Sequence, residues 1–200
     1  MRTSTLWIAL ALVLGAVASA QRPTPTPAAP ASARAAPPLP TYDASNLDAR
    51  LAEASANARG NNRRVLVMWG SNADEASRSL IELAVRNAEV SRKLQYEYDV
   101  IRADPAGNEA LAARLAADVK AGALPRLTVL DADGRVVANE AAATLTAGGT
   151  GPAAPDPRQV VSFLTKHQAP PLNAETLLAG ALSRAKKEQK TLFLWFSAPW

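Results

Sequence analysis

The chain has 200 residues and a formal net charge of +4 at pH 7, with 15 prolines, one histidine and no cysteine. The lack of cysteine excludes disulfides, thiol exchange and cysteine-ligated metals within this sequence, and no acidic cluster has the spacing of metal ligands. Basic residues are interleaved with acidic ones and no basic–aromatic stripe occurs, so we expect no nucleic-acid partner, no metal and no cofactor.

The first 20 residues have the features of a secretory signal peptide. One basic residue, Arg2, precedes an apolar run from Leu6 to Val17, and Ala18-Ser19-Ala20 supplies the small residues of a cleavage site. The sequence therefore predicts an exported protein, either periplasmic or secreted. The apolar run is short for a membrane span, and a retained signal anchor is the alternative by which the protein would contact a membrane.

Residues 21–42 consist mainly of proline and alanine. Such a segment has too little large apolar surface to fold, so we expect a disordered linker. Residues 43–167 are long enough for one adequate hydrophobic core.

Periodicity and turn residues predict regular elements along residues 43–167. In chain order they are a helix at 46–59, a strand at 65–69, a helix at 73–86, a helical turn at 89–94, a strand at 96–101, a helix at 108–119, strands at 126–130 and 135–138, and a helix at 157–166. We expect Ser45 and Asp156 to cap the first and last helices, and Gly60 to end the first. Asp131-Ala-Asp-Gly134 predicts a hairpin turn.

Strands separated by helices imply parallel crossovers, and the hairpin adds an antiparallel pair. The predicted fold class is therefore α/β, with a mixed central sheet covered by helices on both faces.

This order resembles that of the thioredoxin family. The strand Val65 to Trp69 leads through a short turn into a helix, Leu124-Pro125 directly precedes the hairpin strand, and Asp131 to Gly134 looks like the family's hairpin turn. The resemblance implies a three-layer thioredoxin-like fold for residues 43–167. It also implies a cis peptide bond before Pro125, beside the family's active site.

The resemblance places the family's two active-site cysteines at Asp74 and Ser77, and its buried acid at Met68. It therefore implies a redox-inactive domain with no catalytic residue. We expect Asp74 and Ser77 to lie in the first turn of a helix, where a carboxylate is favourable. A serine nucleophile would need a neighbouring base, and His167 is predicted to lie at the far end of the last helix.

A second copy of the first helix and strand occurs near the end of the sequence. Residues 192–200 align with 65–73 at a constant offset of 127, and the same offset pairs Leu51 with Leu178 and Ala54 with Ala181. Ala198-Pro199-Trp200 resembles the tripeptide before the family's first cysteine. We expect residues 168–200 to begin a second, truncated thioredoxin-like domain, with a cysteine at position 201 and another about three positions later. Chance similarity between two helix–strand units is the alternative.

Two functions follow as hypotheses. In the first, an exported protein acts as a thiol–disulfide oxidoreductase through its second domain, and its redox-inactive first domain positions the polypeptide substrate. In the second, the protein is a non-catalytic module that binds extended polypeptide through the backbone of Ala123 and Leu124 beside Pro125. Trp69 is then either a core aromatic residue or a partly exposed platform at that groove. A purely structural role, in assembly contacts, is a third reading.

Overall fold

A four-stranded mixed sheet forms the centre of this computed structural model, which describes residues 38–120, 123–146 and 155–195. The strands are β1 (Arg64–Trp69), β2 (Tyr98–Ala103), β3 (Arg126–Leu130) and β4 (Val136–Ala141), in the order β2-β1-β3-β4. β1 is parallel to β2 and antiparallel to β3, which pairs antiparallel with β4. The predicted mixed sheet is confirmed. The expected signal peptide and residues 21–37 of the expected linker lie outside the described residues.

Helices cover both faces of the sheet. They are α1 (Asp48–Asn61), α2 (Glu75–Arg86), α3 (Ala88–Glu97), α4 (Glu109–Arg114), α5 (Pro157–His167) and α6 (Ala174–Lys187), with a 3₁₀ turn at Ala142–Leu145. Buried residues of α1 and α4 pack on one face, and those of α2, α3 and α5 pack on the other. The predicted three-layer α/β architecture is therefore confirmed.

The strand β1 is buried on both faces, as its continuous apolar sequence predicts. Leu66 and Met68 point toward α2, α3 and α5, whereas Val65, Val67 and Trp69 point toward α1 and α4. All five side chains are at most 1% exposed. Successive side chains of a strand alternate between faces, so this one segment contributes to both halves of the core.

The ends of α1 differ from the prediction. The residue before the helix is Leu47, which makes no side-chain capping bond, so the expected cap at Ser45 is wrong. Gly60 lies inside the helix, and Asn62 ends it in the left-handed conformation with φ 53°. Asparagine tolerates this conformation better than most residues. The expected cap of α5 is confirmed, because the Asp156 side chain accepts the N–H of Arg158.

The helix α4 is shorter than the predicted segment 108–119. It ends at Arg114, and Ala116 turns into the left-handed region with φ 50°. The side-chain amide of Asn139 donates to the carbonyl oxygens of Leu115 and Ala116 at 3.3 and 2.8 Å. A side chain from β4 thus satisfies carbonyl groups at the end of the helix, which the local sequence could not indicate.

The boundary before β2 also differs. The helix α3 continues to Glu97, so Tyr96 is helical and 40% exposed, and the predicted strand at 96–97 is wrong. Asn87 starts this helix by accepting the N–H groups of Glu89 and Val90. An effective cap and a full helical turn therefore override the alternating pattern around Tyr96.

The packed chain begins before residue 43. Tyr42 is 3% exposed, and its backbone N–H and carbonyl oxygen pair with the Asn72 side-chain amide at 2.8 and 2.9 Å. Leu39 packs against the same core, and Asp43 forms a parallel bridge with Ala103. The last residues of the expected linker at 21–42 therefore belong to the folded part.

The C-terminal segment forms the expected helix but not the expected strand. No residue of α6 is buried. Residues 192–195 are not in a strand, and Phe193 and Trp195 are each 80% exposed. A strand needs a hydrogen-bonded neighbour, and this segment has none among the described residues. Residues 196–200 of the repeat lie outside them.

Candidate functional site

The sheet register brings Pro125 and the start of α2 to one edge of the sheet. Trp69, the last residue of β1, pairs with Arg126, which directly follows Pro125. The loop after Trp69 leads to Asp74, which caps α2. The peptide bond between Leu124 and Pro125 is cis, as the resemblance implies.

Asp74 and Ser77 form a closed pair at this edge. Asp74 Oδ2 accepts the backbone N–H of Ser77 at 2.7 Å and its hydroxyl at 2.6 Å. Ser77 Oγ in turn accepts the N–H of Ser71 at 3.2 Å, and Ser77 has no exposed surface. The pair thus caps α2 and fastens the preceding loop, and neither side chain is available as a nucleophile.

Tyr42 fills the space beside this pair. A Cβ atom at Gly70 would lie 2.4 Å from Tyr42 Cζ, so the ring packs directly on the glycine. The phenol donates to the carbonyl oxygen of Ser77 at 3.1 Å. Burial raises the pKa of the Tyr42 phenol well above its usual value, so the group is a neutral donor. Sequence reasoning did not identify Tyr42, because it was assigned to the linker.

Trp69 belongs to a buried polar network. Its indole N–H donates to Thr128 Oγ1 at 2.9 Å, and the Thr128 hydroxyl donates to Asn139 Oδ1 at 3.1 Å. Trp69 and Thr128 are both fully buried. The sequence left two interpretations open for Trp69, a core aromatic residue or a partly exposed platform. The structure shows a core residue, so the ring offers no surface to a peptide. The only feature of the sequence that could have indicated the role of Asn139 in this network is that a polar asparagine occurs in a predicted hairpin strand.

The backbone around Leu124 is only partly engaged. The Ala123 N–H donates to the Lys120 carbonyl oxygen at 2.9 Å, and the Pro125 carbonyl oxygen accepts the Ala142 N–H at 2.8 Å. Among the described residues, no hydrogen bond involves the Leu124 N–H or the carbonyl oxygens of Ala123 and Leu124. Of the groups expected to pair with a peptide, the Ala123 N–H is therefore already used.

His167 does not join Ser77 in a catalytic arrangement. Its ring lies 4.9 Å from the Phe163 ring, and it makes no hydrogen bond within the part of the chain that the structure describes. Burial and then the charge of Lys166 lower the His167 pKa. The Ser77 hydroxyl donates to Asp74 directly, with no imidazole between them.

One further cavity lies on the α1 and α4 side of the molecule. A cavity of about 460 Å³ between α1, α4 and the β3–β4 turn lies at the opposite end of the strands from Pro125. Its charged residues are already paired, as Arg114 with Asp48 and Asp133 with Arg59. In residues 38–120, 123–146 and 155–195, no cluster of three metal-ligating side chains occurs. In those ranges, too, no helix is both long and apolar enough to span a bilayer.

Comparisons with known proteins agree with this geometry at the level of the fold. Neither a protein-family model nor a curated protein sequence matches the chain. A disulphide isomerase from Xylella fastidiosa Temecula1 superposes with a TM-score of 0.53 and 19% identity, covering 66% of this chain and 98% of that one. The N21Q mutant thioredoxin from Halobacterium salinarum NRC-1 has a TM-score of 0.42 and 16% identity, and the match covers 66% of this chain and 91% of that one. The oxidised C-terminal domain of DsbD from Neisseria meningitidis has a TM-score of 0.45 and 10% identity, and the match covers 64% of this chain and 99% of that one.

The strand order, the cis bond before Pro125 and the isomerase superposition agree with one another. The chain therefore has a thioredoxin-like fold, and it carries no cysteine.

Proposed function

We propose that residues 39–167 form a redox-inactive domain that binds and positions extended polypeptide in an exported protein. The observation that carries this proposal is the closed Asp74–Ser77 pair at the end of the sheet where Leu124 lies, since the Leu124 N–H makes no hydrogen bond among the described residues. The resemblance assigns the family's two cysteines to Asp74 and Ser77. A carboxylate and a hydroxyl cannot exchange thiols. Backbone pairing with a peptide does not depend on them.

The end of the pairing between β1 and β3 supports a peptide-binding position next to Leu124. The antiparallel pairing of β1 with β3 ends at Trp69 and Arg126. The position beside Leu124, in line with β1, therefore has no strand neighbour among the described residues. An extended segment there would accept the Leu124 N–H and donate to the Leu124 carbonyl oxygen.

Binding of unfolded polypeptide tests this proposal directly. The full chain is titrated into a labelled, reduced and alkylated polypeptide, and binding is followed by fluorescence anisotropy. Leu124→Pro removes the Leu124 N–H and should abolish binding, whereas Leu124→Ala keeps this N–H and should retain most of the binding. No binding by the unchanged chain contradicts the proposal.

Hydrogen exchange gives a second test that needs no variant. On addition of the polypeptide to the unchanged chain, the Leu124 amide should exchange more slowly, because it acquires an acceptor. The Ala123 amide, which already donates to Lys120, serves as the internal reference. Unchanged exchange at Leu124 in a chain that does bind would place the contact elsewhere.

A second domain would supply the redox chemistry of the whole protein. In α1, Leu51, Ala54 and Ala58 are at most 9% exposed against the sheet. The matching residues of α6 in the repeat are not buried. This difference supports a second thioredoxin-like sheet against which α6 would pack.

The coding sequence after position 200 distinguishes the two hypotheses. A reading frame with a cysteine at 201 and another about three positions later supports the oxidoreductase, and a stop codon directly after Trp200 contradicts it. Insulin reduction by the longer chain, but not by residues 1–200, is the corresponding activity result. If the longer chain does not reduce insulin, the non-catalytic binding module is the remaining alternative.

Export is proposed from residues 1–20. Fractionation of a Gram-negative host, with N-terminal sequencing of the product, tests it. The expected product starts at Gln21 and is released with the periplasm, whereas a retained signal anchor keeps it with the membrane fraction. An uncleaved cytoplasmic product contradicts the proposal.

A further inference from the structure

Arg126 lies next to the proposed peptide edge. It directly follows Pro125 and pairs with Trp69 across the sheet. Its side chain lies on the α1 and α4 face, since its Nε donates at 2.9 Å to the same Asn139 oxygen that accepts the Thr128 hydroxyl. Leu124 packs against the core on this face.

The Asn139 amide holds the guanidinium group in place. Its oxygen accepts from Arg126 and Thr128, and its nitrogen donates to the carbonyl oxygens of Leu115 and Ala116. Both ends of the amide are thus occupied, which defines its orientation. Because a guanidinium group is planar, fixing its Nε–H also restricts the direction of its outer N–H groups.

The outer edge of this guanidinium group is open. Among the described residues, no hydrogen bond involves Arg126 Nη1 or Nη2, and neither atom is buried without a partner. All aspartate and glutamate residues of the chain lie in the described ranges, and none is within ion-pair distance of Arg126. The group is therefore a pre-oriented cation without an acidic partner in those ranges.

We propose that Arg126, oriented by Asn139, makes this edge select extended segments that carry a carboxylate. The inference rests on the proposed function and names its substrate class. The planar fork of arginine matches the two oxygens of a carboxylate. Asp74 forms no ion pair with Arg126, and the helix that it caps, α2, packs on the other sheet face.

A matched peptide pair tests the preference. Two extended peptides that differ only by Glu or Gln at one central position are titrated against the full chain by fluorescence anisotropy, with the position scanned along the peptide. At the best position the Glu peptide should bind roughly five- to tenfold tighter at low salt. The ratio should fall as salt is added.

Three variants assign the preference to this residue. Arg126→Gln should bring the ratio close to one, and Arg126→Lys, which keeps the charge but loses the planar fork, should lower it. Arg92→Gln removes the same charge from an exposed position on α3 and should leave the ratio unchanged. Equal loss in the Arg126 and Arg92 variants overturns the inference, because the preference would then reflect net charge.

Asn139→Ala tests the positioning role. It should lower the ratio although Arg126 is intact. The control, Tyr98→Phe, removes a buried hydrogen bond to the Leu164 carbonyl oxygen on the other sheet face and should leave the ratio unchanged.

The outcomes separate this inference from the proposed function. Equal binding of both peptides that still depends on the Leu124 N–H overturns the carboxylate preference and leaves the proposed function standing. Failure of the unchanged chain to bind either peptide, or unfolded polypeptide, overturns both.

Discussion

One oxygen of Asp74 accepts two hydrogen bonds from Ser77, the backbone N–H at 2.7 Å and the hydroxyl at 2.6 Å. The relationship joins the first turn of α2 to the loop before it, because Ser77 Oγ also accepts the Ser71 N–H. At the two positions where the resemblance implies thiols, this chain has a satisfied helix cap. These bonds stabilise the start of α2.

Asp74→Ala should lower the free energy of unfolding by about 1–2 kcal/mol, because it removes the cap and leaves the buried Ser77 hydroxyl without its acceptor. Urea unfolding at pH 7 measures this. Asp156→Ala is the control, since Asp156 caps α5 through one bond to the Arg158 N–H. A loss at Asp156 as large as that at Asp74 would show that the hydroxyl bond adds nothing.

The double variant Asp74→Cys with Ser77→Cys should form a disulfide and show insulin reduction with dithiothreitol above that of the unchanged chain. Both positions lie at the start of α2, where the unpaired N–H groups favour a thiolate. Each single cysteine variant is the control and should show no such gain. Failure of the double variant to oxidise, in a folded protein, would mean that these two positions do not have the geometry of a redox site.

Gly70→Ala should destabilise the protein by about 1–3 kcal/mol, because the new Cβ would overlap the Tyr42 ring. In a Tyr42→Ala background the cost should be much smaller. Denaturation of the four proteins in this double-mutant cycle gives the coupling. Additive effects would contradict direct packing of the ring on the glycine.

Thr128→Val should cost about 1–3 kcal/mol, because it leaves the buried Trp69 indole N–H without an acceptor. Thr128→Ser keeps the hydroxyl and should lose less through hydrogen bonding. Unfolding of both variants by urea, followed by far-UV circular dichroism, gives the comparison. A valine variant as stable as the serine variant would show that the indole bond contributes little.

His167 should make the protein less stable as the pH falls below about 6.5, the ordinary histidine value. Its pKa is lowered in the folded state, chiefly by burial. Between the folded and unfolded pKa values the unfolded chain binds more protons, so stability is present above this window and is lost within it as pH falls. Because His167 is the only histidine, His167→Gln should flatten the dependence of urea unfolding between pH 7.5 and 5.5. An identical profile in the variant would contradict this assignment.

Much of the architecture followed from local patterns. The strand β1, the Asp131–Gly134 turn and the Asp156 cap could each be predicted from a few consecutive residues, and all three are present. Errors occurred where two local tendencies compete. Tyr96 follows an alternating pattern but continues a well-capped helix. The helix α4 ends at Arg114, and Asn139, from β4, donates to the carbonyl oxygens of the next two residues.

The candidate site divides in the same way. The amino-acid sequence by itself determined the α/β class and the absence of thiol chemistry, since strand periodicity and cysteine content are local properties. The resemblance of the sequence to the thioredoxin family predicted that Asp74, Ser77 and Pro125 lie at one edge of the sheet. Only the tertiary structure decided that Trp69 is buried, that Tyr42 closes the space beside Ser77 and that Asn139 orients Arg126. Those contacts join residues that are distant along the chain, and their formation depends on how the layers pack, which no local pattern specifies.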